Sequence, residues 1–160
     1  RGLVDLEKDF DVRIITQNVD NLHERAGSSN VLHLHGQLDY VRALDNEKLR
    51  WRLTPEDPET TVDTVIEGHH VRPDIVFFQE AVPNFDPATR IVAEADIFVI
   101  IGTSLVVYPA AALINYVRRG VPVFYIDPRP SDVPEGVHII RTGAGEGVAR
   151  LAEILRKSYL

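Results

Sequence analysis

The stretch Thr16-Gln17-Asn18-Val19-Asp20-Asn21-Leu22-His23-Glu24-Arg25-Ala26-Gly27, followed by Leu34-His35-Gly36, crowds amide, carboxylate and imidazole groups behind Val12 to Ile15, an apolar run that reads as a buried strand. Polar side chains packed that densely at the end of a strand make a poor core and a good floor for a ligand site. An imidazole titrates near neutral pH, so it can take up or release a proton during a reaction. Amides and carboxylates supply the hydrogen bonds that orient a bound molecule. Taken one at a time, these residues have plainer readings: Asn18 or Asp20 can cap a helix, and a single His before Gly can be a hydrogen-bonded loop residue.

The elements that must position these groups alternate in type. Leu3, Leu6 and Phe10 recur at helical spacing and predict an amphipathic helix leading into the first strand, which ends at Thr16. A short helix follows, closed by Gly27. A second apolar run covers Ile75 to Phe78, and Pro87 to Ala95 has good helix formers with Pro in the first turn. Ile97 to Ile101 is a continuous β-branched and aromatic run, as in a strand covered on both faces. Pro109 to Arg119 reads as a helix with a basic last turn and Gly120 as its stop. Val123 to Ile126 and Val137 to Ile140 predict further strands, and Val148 to Leu155 a closing helix.

Strands alternating with helices imply right-handed crossovers, hence an α/β fold with a Rossmann-like, mainly parallel sheet and helices on both faces. Ligands bind beyond the carboxyl ends of such strands. Gln17 to Asp20, Gly102-Thr103-Ser104 and Asp127-Pro128-Arg129 all fall there. The stretch 39–70 breaks the alternation: it is acidic, weakly periodic and contains Pro and Thr, and predicts a small irregular inserted module. Residues 1–38 and 71–160 then form the main domain.

Composition narrows the function classes. With 24 acidic and 17 basic residues the formal net charge is −7, which argues against nucleic acid as a partner, since its binders usually show a basic face. Glu56, Asp57, Glu59 and Asp63 form a local acidic cluster, the signature of a solvated surface. No apolar run approaches the length of a membrane span. Cysteine is absent, so neither disulfides nor thiolate metal sites can form. A cytoplasmic location with no membrane partner is the expectation.

Several spaced blocks together resemble the sirtuins, the NAD-dependent protein-lysine deacylases, and most closely the compact bacterial ones. Besides the first block they are Arg72-Pro73-Asp74-Ile75-Val76-Phe77-Phe78-Gln79-Glu80, the run Ala95 to Ala110 with Gly102-Thr103-Ser104, and the strand ending Ile126-Asp127. The resemblance implies NAD-dependent removal of acyl groups from lysine side chains of a protein or peptide, giving nicotinamide and O-acyl-ADP-ribose. In such chemistry the acyl oxygen attacks the ribose carbon as nicotinamide leaves, and a ribose hydroxyl must then lose its proton. By resemblance His35 is the base. Gln17, Asn18 and Asp20 correspond to ribose and nicotinamide contacts. Gly102, Thr103 and Ser104 correspond to a phosphate or ribose loop. Asp127 stands where sirtuins often carry Asn beside the adenine ribose, and Ala144, between Gly143 and Gly145, resembles the late turn near adenine. Val76, Phe78 and Glu80 resemble the strand that pairs with the substrate backbone, with Gln79 in place of the usual Gly.

Two departures accompany the match. Sirtuins commonly hold a structural zinc with two Cys-x-x-Cys pairs; here Ala43 and Asn46 stand at the first pair's ligand positions and cannot replace thiolates, so no metal is expected. The family's glycine-rich strand-to-helix loop also has no counterpart, because Arg1 already lies inside the helix before Gln17. The expectation is a fragment that binds NAD weakly, is marginally stable, lacks a central strand, and self-associates through the edge left unpaired. Three functions stay open at this point: a deacylase, a non-catalytic nucleotide- or partner-binding module (an inactive fragment included), and transfer of ADP-ribose to protein. An imidazole beside the ribose separates the first from the second.

Overall fold

The computed structural model describes residues 1–54, 56, 59–104 and 107–160. Asp57 of the acidic cluster and Leu105-Val106 of the Gly102 block lie outside the described residues.

Helix α1 covers only Gly2–Leu6. The chain then turns, with the Phe10 amide donating to the Leu6 carbonyl at 3.0 Å, so Leu3, Leu6 and Phe10 still join one apolar cluster. Strand β1, Ile14–Thr16, pairs in parallel with β2, Val31–His33. Between them α2, Leu22–Ala26, ends at Gly27, whose φ of 103° is the left-handed conformation that closes a helix.

The segment that reads as irregular in sequence builds a four-stranded antiparallel sheet. Its strands are β3 (Gly36–Ala43), β4 (Arg50–Arg52), β5 (Val65–Ile66) and β6 (His69–Ile75), in the order β4-β3-β6-β5. Its periodicity is weak for physical reasons. The register slips between Gln37 and Val41 opposite Pro73, which cannot donate to a ladder and sits at the irregularity. The β5–β6 hairpin turns on Glu67 and Gly68, with φ of 51° and 87°. That two-residue turn with both φ positive usually carries Asn or Asp before the Gly, so Glu hides it. Buried Ala43 packs on β3 and the Asn46 side chain accepts the Lys48 amide, so neither fits a zinc ligand. The sheet is held by other means: Arg50 lies 4.0 Å above the Tyr40 ring, Trp51 packs beside His69 at 6.2 Å, and His69 pairs with Asp45 at 2.8 Å.

Helix α3, Phe85–Glu94, leads into β7, Phe98–Ile101. A 3-10 segment, Ala110–Tyr116, stands where a longer helix to Arg119 is expected from sequence. Val117 is already extended, and the Arg118 guanidinium donates to the carbonyls of Glu94 and Ala95 and to the Asp96 carboxylate. Strand β8, Val123–Ile126, then pairs in parallel with both β7 and β9, His138–Ile140. Helix α4, Ala144–Tyr159, closes the chain.

The parallel strands therefore form two sheets. Among the described residues β1 is paired only with β2, and β7 only with β8 on the side away from β9. All residues of β1 and β7 border one cavity of about 910 Å³, whose walls include Leu6, Val148 and Leu151 on one side and Val92 and Leu113 on the other. This explains why β7, read from sequence as covered on both faces, buries only Ile100. Two apolar clusters flank the strands. One gathers Leu6, Phe124, Ile126, Ile140 and the inner face of α4; the other gathers Leu34, Ala88, Val92, Ala110 and Leu113.

Candidate functional site

At the end of β1 the Thr16 hydroxyl accepts the Asn18 amide at 3.1 Å, bending the chain out of the strand. Gln17 is half-buried and Asn18 exposed. Asp20 accepts the Leu22 amide at 3.0 Å, an Asx turn just before α2; the N-cap of that helix is Asn21, not Asn18 or Asp20 as the capping reading expects. Across the loop, Leu34 donates to the Thr16 carbonyl at 2.9 Å and buries its side chain in the second cluster. That anchor leaves its neighbour His35 half-buried at the sheet's carboxyl edge.

Two imidazoles hold consecutive carbonyls of the Gln17–Asn18 turn. His35 Nδ1 lies 3.2 Å from the Gln17 oxygen, and His33 Nδ1 lies 3.0 Å from the Asn18 oxygen. A carbonyl only accepts, so each ring carries a proton on Nδ1 in these bonds. In the neutral His35 ring this leaves the Nε2 lone pair available to take a proton. His33 has no such freedom: it is buried, and its Nε2 is engaged by Glu24 at 2.7 Å.

Gly36 lets the two sheets meet beside that histidine. Its φ is +81°, and a Cβ there would lie 1.9 Å from the Asp74 carbonyl oxygen. Only glycine allows β3 to pair with β6 directly after His35. The His35 carbonyl in turn accepts the Val76 amide at 2.9 Å, which places the 76–80 segment against the imidazole's backbone. That segment, expected as part of a strand, leaves β6 at Ile75 and closes a turn in which the Glu80 backbone amide donates to the Phe77 carbonyl at 3.1 Å. Phe78 is 98% exposed, and Gln79 takes a φ of +74°, the conformation glycine usually supplies. The Glu80 carboxylate turns inward. Arg72 donates to it at 2.6 and 3.1 Å and the Phe77 amide at 3.0 Å. The Arg72 bonds, then the Phe77 amide, hold its carboxyl below the usual glutamate range.

On the other side of the cavity, Gly102 follows β7 with a φ of +60°, and an added Cβ there would meet no atom within 4 Å. Thr103 is half-buried and Ser104 exposed. Asp127 follows β8 and accepts the Arg129 amide at 2.7 Å. Ala144 is the first residue of α4. The cavity brings Gln17, Asn18, Gly102, Thr103 and Ala144 to one lining; His35, Asp20, Ser104 and Asp127 lie outside it. Among the described residues no group of three or more His, Asp or Glu side chains is placed to hold a metal.

Sequence reasoning overlooks several residues that shape the site. Gly147 lets α4 settle on β8, since a Cβ there would lie 2.1 Å from Ile126. Asn84 donates to the His33 carbonyl at 2.7 Å. Tyr125 is fully buried within an apolar strand, where a phenol usually finds a hydrogen-bond partner; its residue type is the only signal the sequence holds.

Fold and site together define a Rossmann-like α/β domain with an oriented imidazole at the carboxyl edge of its parallel strands. The family model described as "Sir2 family" matches residues 3–109. The NAD-dependent protein deacylase of Bacteroides thetaiotaomicron is 52% identical over 159 residues, covering 96% of this chain and 68% of that protein. The NAD-dependent protein deacylase of Helicobacter pylori strain 26695 is 44% identical over 146 residues, covering 90% and 63%. A crystal structure of a Sir2 homolog–NAD complex superposes with a TM-score of 0.82 at 36% identity, over 98% of this chain and 63% of that one. The chain belongs to the Sir2, or sirtuin, family. It spans 61% to 68% of the length of the first curated relatives it matches.

Proposed function

We propose that this chain carries the nucleotide- and imidazole-bearing part of an NAD-dependent protein-lysine deacylase. The observation that carries the reading is the Nδ1 contact of His35 with the Gln17 carbonyl, which leaves Nε2 as the acceptor beside the polar turn. The residues present fit NAD. The Gln17–Asp20 turn offers amides and a carboxylate, Gln17, Asn18, Gly102 and Thr103 border one cavity, and the space over Gly102 is open to a close approach. When bound, NAD supplies the electrophilic ribose carbon and the hydroxyl that finally carries the acyl group.

In this reading Gln17, Asn18 and Asp20 orient the nicotinamide and its ribose. Gly102, Thr103 and Ser104 receive phosphate or ribose oxygens, Asp127 accepts from the adenine ribose, and Ala144 borders the adenine. His35 Nε2 takes the proton from the ribose hydroxyl, and the Gln17 carbonyl steadies the imidazolium that results. Val76 and Phe78 engage the acyl-lysine peptide. Glu80 contributes through its backbone, its carboxylate being committed to Arg72. Residues 1–38 and 71–160 act as the NAD-binding domain and 39–70 as a small zinc-free module. No described helix is long and apolar enough to cross a membrane, and we place the protein in the cytoplasm. Among the described residues one edge of β1 and one of β7 have no partner strand, and edges of that kind favour self-association.

The test is a mass-spectrometric deacylation assay with NAD on acetyl- and succinyl-lysine peptides, with His35→Ala as control. Product from the parent that is lost in the variant supports the reading and names the acyl class. Binding of NAD with no product from the parent would favour a non-catalytic binding module instead.

A further inference from the structure

The loops that follow β7 and β8 are joined through hydroxyl groups. Tyr125 lies on β8 with its side chain fully buried. Its hydroxyl donates to the Thr103 carbonyl at 2.7 Å and accepts the Ser131 amide at 3.3 Å. The Ser131 hydroxyl donates to the Ser104 carbonyl at 2.6 Å. Two consecutive carbonyls of the β7 loop are thus held by the β8 strand and its loop. Phenylalanine would fill the core equally well, so packing does not explain the phenol; these two bonds do.

The consequence lies in the geometry of the peptide unit. In a trans peptide the carbonyl of one residue and the N–H of the next point in opposite directions. Holding the Thr103 carbonyl on Tyr125 therefore turns the Ser104 amide away from the strand that carries Tyr125. Gly102, with its left-handed φ, starts the reversal at the end of β7, and the two bonds complete it. An amide oriented before a ligand arrives need not be reorganised on binding, which is where such a loop gains affinity.

We propose that Tyr125 and Ser131 are positioning residues: a latch between the two loops that sets the Thr103–Ser104 peptide to receive phosphate or ribose oxygens of the nucleotide. This rests on the nucleotide reading above. Their hydroxyls are spent on the loop's carbonyls, so they act through the loop rather than on the ligand.

The test is a titration of the full chain with ADP-ribose followed by amide NMR, for the parent, Tyr125→Phe, Ser131→Ala and Ser131→Thr. Tyr125→Phe is expected to weaken binding about tenfold, the size of one well-placed hydrogen bond. Ser131→Ala is expected to weaken it several-fold, and Ser131→Thr, which keeps the hydroxyl, to restore it. The Ser131 amide should lose its exchange protection in Tyr125→Phe even without ligand. A merely structural role would lower the melting temperature and that protection but leave the affinity of the folded protein unchanged. ADP-ribose binding by Tyr125→Phe and Ser131→Ala equal to that of a binding-competent parent overturns the latch alone. A parent that shows no ADP-ribose-induced shifts overturns the nucleotide reading, and the latch's role with it. Should Tyr125→Phe not fold, the Ser131 pair decides the matter, because Ser131 lies in the loop after β8 and is only half-buried.

Discussion

Replacing Gly36 by Ala tests whether the histidine loop and the small sheet meet only through a missing side chain. Gly68→Ala provides the reference. Both glycines have φ above +80°, so both variants incur the left-handed penalty of about 1–2 kcal/mol, partly offset by about 0.4–1 kcal/mol of lost unfolded-state freedom. At Gly68 a Cβ meets nothing within 4 Å, so its cost stops near ~1 kcal/mol. At Gly36 the Cβ would stand 1.9 Å from the Asp74 oxygen and 2.9 Å from Ile75 Cα, both backbone atoms. The strands must part by more than an ångström, which breaks the Gly36–Ile75 pairing and the Val76-to-His35 bond. Two backbone bonds at about 1 kcal/mol each, plus the strain, bring the total to about 3–5 kcal/mol. Urea unfolding followed by circular dichroism reads the difference: with a slope of about 2 kcal/mol per molar, Gly36→Ala should unfold at least ~1 M earlier than Gly68→Ala. Equal midpoints for the two variants would refute the reasoning.

Two other substitutions probe the turn after β6. Gln79→Gly should raise the melting temperature by a few degrees, because relief of the φ of +74° outweighs the added freedom of the unfolded chain; a lower melting temperature would show that the Gln side chain contributes more than its backbone strain costs. Glu80 has its folded-state pKa depressed, chiefly by Arg72, so its stabilisation is present above the ordinary glutamate range and is lost as pH falls through the depressed value. The stability gap between the parent and Glu80→Gln should therefore be widest near neutrality and close on acidification, and a gap that stays constant across that range would count against the Arg72–Glu80 pairing as its source.

What was legible in the sequence follows from how local each signal is. The run Val123 to Ile126 has the same bounds as the strand, and Gly27 ends its helix, because β-branched runs and left-handed glycines act over a few residues. The small sheet was not legible, since its hairpin turns on Glu67 and its central pair slips at Pro73. The helix expected up to Arg119 stops early because Arg118 finds partners 22 to 24 residues away, which no local pattern records. Within the candidate site, the residue types of the Gln17 turn and His35 stand out in the sequence. The bonds that orient them do not: the Gln17 carbonyl, Tyr125 and the inward turn of Glu80 emerge only when distant strands pack.

The adjacency of His35 to the β3–β6 junction carries a thermodynamic consequence. One peptide unit serves both the imidazole's loop and the first rung of the antiparallel ladder, and the next amide along, that of Val76, opens the exposed Phe77–Gln79 turn. If the turn engages a peptide as proposed, its occupancy and the placement of the ring are linked functions. Whatever free energy a bound chain expends in drawing the Val76 amide toward itself is registered at the His35 carbonyl, and the reverse holds to the same extent. In the proposed reading the proton acceptor and the surface beside it form one balance, so the affinity of either for its partner has meaning only when the state of the other is stated.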